Sequence, residues 1–259
     1  MQDSAPAASF DWTMLDAPEL LPLGDEAVER LFWFFHPRFR FFKTLPPAAR
    51  LLDVGAGSGG LHFWREWNDP PRPDITLFGI DRARGEHADH YEAWPEIDLD
   101  TALPDFHGER FDGFLMSHVL EHLADPARLF AWMAEVAAPG ARIYLEWPHP
   151  TTQTLPTADM LRAHGFDIQA FRFNDDSTHL HAPTESEVAQ MLSASGFQVR
   201  EAGRIELGLA ARELMARGVR RDDMAWRQMG LWALTGWAAY IIAALEPAGL
   251  SPPSALPTA

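Results

Sequence analysis

Residues 51–60, Leu-Leu-Asp-Val-Gly-Ala-Gly-Ser-Gly-Gly, place four glycines in six positions directly after a short apolar run. A strand that ends in glycines lets the chain turn sharply and lets a ligand reach the backbone with no Cβ in the way. Gly55, Gly57 and Gly60 satisfy the GxGxxG spacing of dinucleotide sites, which is a weak signal alone. Two acids refine it. Asp53, two residues before the first glycine, suits a ligand carrying an ammonium group and repels a pyrophosphate. Asp81 closes the next apolar run, where a carboxylate accepts both hydroxyls of a ribose and repels a 2′-phosphate.

Around this loop, strand-like and helical segments alternate. Residues 50–54, 75–80, 111–116 and 142–147 read as strands, and 61–67 and 126–137 as helices. The expected fold class is α/β, with a mainly parallel central sheet and helices on both faces. Residues 148–178 are irregular and are expected to form an insertion. Thr184 and Glu187 have the spacing of a capping box for a helix over residues 184–195, which Gly196 ends before a strand from Phe197. Residues 208–215 look helical, so the last strand of such a sheet is either missing or supplied elsewhere, with residues 168–173 as one source. The chain is expected to divide into a flexible start (1–20), a main domain (21–207), a helical extension (208–246) and a flexible tail (247–259).

The chain has 259 residues and is 47% hydrophobic, enough for a sizeable core and too apolar for a disordered chain. Its formal net charge of −16 makes nucleic acid a poor partner. It has no cysteine, which excludes disulfides, thiolate metal sites and a cysteine nucleophile. The first ten residues show no cationic start followed by an apolar run, so a cytoplasmic location is expected.

From Arg50 to Gly203 the motifs occur in the order found in class I S-adenosylmethionine-dependent methyltransferases, and the sequence resembles that family. Asp53-Val54-Gly55-Ala56-Gly57-Ser58-Gly59 is similar to its first motif, and Asp81, followed by Arg82, matches its ribose-binding acid. Residues 97–100, Ile-Asp-Leu-Asp, resemble the adenine-holding segment, with Asp98 and Leu99 preferred and Asp100 as the alternative. Ser117-His118-Val119-Leu120-Glu121-His122-Leu123 resembles the fourth-strand motif of a subgroup that includes quinone, sugar and natural-product methyltransferases. The resemblance implies a Rossmann-like methyltransferase sandwich with N- and C-terminal helical additions. It implies S-adenosylmethionine as cofactor and S-adenosylhomocysteine as product. In it Asp53 holds the methionine ammonium, Gly55, Ala56 and Gly57 line the backbone approach, and Ser117 and His118 line the sulfonium side.

The acceptor is expected to be a small molecule or glycan, O-methylated in polysaccharide or natural-product biosynthesis. A quinone or lipid-linked acceptor at the membrane is the alternative, as is a non-catalytic assembly protein that binds the cofactor. With no Cys and three Tyr, a histidine is the expected base. The candidates are His118, His149, His179 and His181, with His149 or His179 preferred. His179 and His181 at i, i+2 beside Asp175 and Asp176 have no diagnostic metal spacing, so no metal site is assigned. Residues 31–43 are aromatic and locally basic and lie where the resemblance implies a helix that covers the cofactor; their rings are expected to pack in the core, with an apolar acceptor pocket or a lipid-interface patch as the alternatives. Residues 228–245 are uncharged and read as a helix, either buried or packing subunits in a homo-oligomer, with peripheral membrane contact as the other reading.

Overall fold

A computed structural model describes residues 10–16 and 20–246. Its centre is a six-stranded sheet made of β1 (Arg50–Val54), β2 (Thr76–Ile80), β3 (Phe111–Ser117), β4 (Ala137–Pro148), β5 (Phe197–Arg204) and β6 (Ala238–Leu245). The spatial order is β2-β1-β3-β4-β6-β5, and β6 is the one strand that runs antiparallel to its neighbours. Side chains alternate between the faces, as strand geometry requires. Leu52 and Val54 enter the core cluster that contains Phe114 and Phe130, while Leu51 enters the cluster that contains Phe41 and Tyr144.

On the first face lie α3 (Pro126–Val136) and α5 (Glu185–Ala194). The α5 capping box forms as expected: the Thr184 hydroxyl accepts from the Glu187 N–H, and the Thr184 N–H donates to the Glu187 carboxylate at 2.7 Å. Toward the opposite face lie α1 (Asp25–Phe35) and α2 (Pro37–Lys43). The aromatic segment thus supplies two short helices, joined at His36, and buries Phe32, Trp33, Phe39, Phe41 and Phe42. A third apolar cluster joins α1 to α4 (Ala158–Ala163), α6 (Gly208–Arg221) and α7 (Met224–Thr235).

Three expectations change. Residues 228–245 are not one helix: α7 ends at Gly236, which adopts φ +61, and Ala238–Leu245 is a strand inserted between β4 and β5. A central strand is apolar on both faces, so its composition reads like that of a buried helix, and periodicity does not separate them. This strand is the missing last strand of the sheet, and residues 168–173 contribute none. The helical extension therefore ends at Thr235, and among the described residues no helix is long and apolar enough to cross a membrane. Second, the helix expected over 61–67 is a shorter 3-10 helix, Gly60–Arg65. Third, part of the expected flexible start is packed: Phe10 meets Phe171 edge to face at 5.5 Å, and Trp12 stacks on His164 at 4.1 Å. Residues 1–9, 17–19 and the expected tail 247–259 lie outside the described residues.

Candidate active site

The ends of β1, β2, β3 and β4 meet on one edge of the sheet, where ligands bind in open α/β folds. Gly55 leaves β1 at φ +71, and a Cβ there would lie 2.1 Å from Val119 Cγ2, so only glycine lets the loop pack against the exit of β3. The next turn is tied to β2. The N–H groups of Gly57 and Arg82 donate to the two oxygens of Asp81, each at 2.7 Å. A carboxylate has about four acceptor positions, so Asp81 keeps capacity for further donors.

Beside this loop opens a cavity of about 240 Å³ lined by Gly55, Asp81, Arg82, Leu99, His118 and Val119 among others. Ile97 and Leu99 line it, and Asp98 between them pairs with Arg82 at 3.7 Å. Asp100 is committed elsewhere: its side chain accepts the Ala124 N–H at 2.9 Å. An apolar slot with a carboxylate at one end fits an adenosine.

Asp53 is buried and accepts the Tyr91 hydroxyl at 2.9 Å. Burial pushes its carboxyl up to about 7, and the Tyr91 hydrogen bond offsets only part of that. It faces a neighbouring cavity with Ala56, Ser117, Arg38 and Trp64. A buried acid with one partner fits an incoming ammonium. Arg38 lies over the Trp33 and Trp64 rings and donates to the Ser117 hydroxyl at 2.9 Å.

Past Ser117 the chain takes a left-handed turn at His118, φ +56. This aims the imidazole between two buried carboxylates, with Nε2 3.0 Å from Glu146 and Nδ1 3.5 Å from Glu121. Burial opposes a charge on His118, but the two acids outweigh it and hold the imidazole at about 9. At neutral pH it is a cation and has no free lone pair for a proton. Glu146 also accepts the Tyr144 hydroxyl at 2.6 Å. Burial raises the Glu146 carboxyl, yet Arg38 and His118 outweigh burial and hold it well below the usual carboxylate range.

Two further cavities flank His118. One, about 100 Å³, includes Phe32, His36, Arg38, Glu146, Met229 and Trp232. His36 caps α2, with Nδ1 accepting the Arg38 N–H, and burial depresses it to about 3. The other, about 350 Å³, is walled by Trp232 and Trp237, with Glu121, Asp175, Asp176 and His179 among its polar groups. The two indoles stack at 3.9 Å, fixed by N–H donation to the Ala170 and Phe171 carbonyls.

The two histidines expected to act as base are separated by the fold. His179 lines the larger flanking cavity, whereas His149 and His181 line none of these cavities. His149 instead caps the 3-10 turn Pro150–Thr154, accepting the Thr151 N–H at 3.1 Å, and faces Glu185. Arg38, Tyr91, Glu146 and Trp232 were not singled out from the sequence. Glu146 had one visible signal, an acid inside an otherwise apolar strand, since a buried charge needs a partner.

The family described as a methyltransferase domain matches residues 29–202. The fold is similar to that of the Haloferax volcanii protein in complex with the Trm112 methyltransferase activator: TM-score 0.55, 18% identity, covering 88% of this chain and 95% of that one. It is also similar to an S-adenosylmethionine-dependent methyltransferase from Mesorhizobium loti: TM-score 0.54, 18% identity, covering 80% of this chain and 96% of that one. No curated protein sequence matches the chain. With the family match spanning more than half of the sequence and the sheet carrying the same fold, this chain belongs to the class I S-adenosylmethionine-dependent methyltransferases.

Proposed function

We propose that the protein moves the methyl group of S-adenosylmethionine to a hydroxyl oxygen of a small, hydroxyl-rich acceptor such as a sugar. The observation that carries this is the cavity between His118 and the paired indoles of Trp232 and Trp237. Indole faces cover the apolar side of a sugar ring, while Asp175, Asp176, Gln169 and Gln228 offer hydrogen bonds to its hydroxyls. A quinone ring placed there would desolvate those groups without replacing their water.

In this reading Asp53 takes the cofactor ammonium, and Gly55, Ala56 and Gly57 let the backbone approach it. Asp81 takes the ribose hydroxyls, and Asp98 with Leu99 the adenine. Ser117 and His118 border the sulfonium. Displacement at the methyl carbon is in line, so the chain acts mainly by aligning the acceptor and excluding water.

The test begins with calorimetric titration of S-adenosylhomocysteine, with NAD as control. It continues with labelled methyl transfer to sugar nucleotides, glycan fragments and hydroquinones in parallel. Micromolar binding of the first ligand alone, with label in a sugar, supports the reading. Label in the hydroquinones only, or in no acceptor, overturns it.

A further inference from the structure

Glu121 is fully buried, and neither of its carboxylate oxygens has a hydrogen-bond partner. That is a costly arrangement, because a buried carboxylate loses its hydration and needs compensation in kind. His118 does not provide it in full: its Nδ1 stands 3.5 Å away and makes no hydrogen bond. A second group of side chains faces the same carboxylate. His122 and His179 bring their ring nitrogens toward it, with the ligand atoms of Glu121, His122 and His179 all within 4.8 Å of one another.

Both imidazoles are held in the tautomer that leaves Nε2 free. Nδ1 of His179 lies 2.6 Å from the Phe173 carbonyl, which can only accept, so the proton sits on Nδ1 and Nε2 is free. Nδ1 of His122 contacts the Thr178 hydroxyl at 2.9 Å and its carbonyl at 3.3 Å, with the same result. The Thr178 hydroxyl is oriented in turn by donating to Asp176 at 2.6 Å. Such outer partners that fix ring orientation are characteristic of histidines that ligate metals. The Leu180 N–H also donates to the Glu121 carbonyl at 2.8 Å, which ties the segment carrying His179 to the turn carrying Glu121. The second oxygen of Asp176 lies 3.9 Å from His179 Nε2, beside the cluster.

We propose that Glu121, His122 and His179, with Asp176 alongside, bind a divalent transition-metal ion at the acceptor side of the cofactor pocket. Two imidazoles and carboxylates, with no thiolate in the chain, select an ion of the manganese–cobalt–zinc series over calcium or a soft cation. Bonds of about 2.0–2.2 Å draw the ligand atoms inward by roughly an ångström, a small torsional change. The cation neutralises Glu121, and His118 keeps Glu146 as its partner at 3.0 Å. His118 and His122 line both the cofactor cavity and the larger flanking cavity, so the ion sits where the two meet.

Its role rests on the proposed function. An open coordination position takes an acceptor hydroxyl and lowers its pKa. The oxygen bonds to the methyl carbon as the carbon–sulfur bond breaks, and the hydroxyl proton leaves to water.

The experiment uses tag-free full-length protein, stripped with chelator and titrated with Co²⁺ by visible absorption and calorimetry. One equivalent is expected to bind. His179→Ala and Glu121→Gln should each weaken binding tenfold or more, with His122→Ala as a less buried third variant. Far-ultraviolet circular dichroism reports that each variant is folded. His87→Ala, in the separate cluster of His62, His87 and His90, should leave Co²⁺ binding unchanged. No Co²⁺ binding, or binding lost in His87→Ala and kept in His179→Ala, overturns the site. Co²⁺ binding that depends on His179, together with no methyl transfer to any hydroxylated acceptor, overturns the proposed function and leaves the site standing.

Discussion

Nε2 of His118 lies 3.0 Å from Oε1 of Glu146, joining the exits of the adjacent parallel strands β3 and β4. The backbone repeats the link, since the His118 N–H donates to the Glu146 carbonyl at 2.9 Å. Breaking a buried pair from one side leaves an uncompensated charge, at a cost of about 3–5 kcal/mol. Glu146→Gln should therefore lower unfolding free energy by about 3 kcal/mol in urea denaturation. A change within experimental error would show that the pair carries no net stability.

In the proposed reading, Asp53 sets a pH dependence on cofactor binding. Its folded-state pKa, about 7, lies above the usual value of 3.8. The free protein thus holds an extra proton between those values, and this contribution to stability is complete below about pH 4 and lost as pH rises through about 7. An ammonium group needs the ionised form. Affinity for S-adenosylhomocysteine should rise several-fold from pH 6 to pH 8 in calorimetry, and Asp53→Asn should flatten that rise and weaken binding at pH 8.

Asp81 has two duties, accepting the loop N–H groups of Gly57 and Arg82 and, in the proposed reading, the ribose hydroxyls. Asp81→Ala should weaken S-adenosylhomocysteine tenfold or more, with Asp81→Asn intermediate, because the amide keeps one acceptor oxygen. Unchanged affinity would remove Asp81 from the cofactor site.

Trp232 lines both cavities that flank His118, the larger of them the acceptor site in the proposed reading, and no part of the cavity beside the glycine loop. Trp232→Ala should raise the acceptor KM about tenfold or more while the Kd for S-adenosylhomocysteine stays within about twofold. A loss of cofactor affinity instead would mean that the paired indoles support the whole edge of the sheet.

The local signals in the sequence are those with short-range causes. The glycine loop, Asp53 and Asp81 were legible because a strand–turn–helix cradle needs those residue types at close spacing, and the Thr184 capping box because it spans three residues. Long-range decisions were not legible. Whether Ala238–Leu245 is helix or strand depends on an open slot between β4 and β5, which periodicity cannot report when both faces are apolar. His149 and His179 looked alike as possible bases, and only the folded chain turned one into a cap and the other toward Glu121. The cluster of Arg38, His118, Glu121 and Glu146 gathers residues from α2, the exit of β3 and the end of β4. Sequence determined which groups are available; tertiary packing decided which of them share a buried space, because desolvation and pairing act across the fold rather than along the chain.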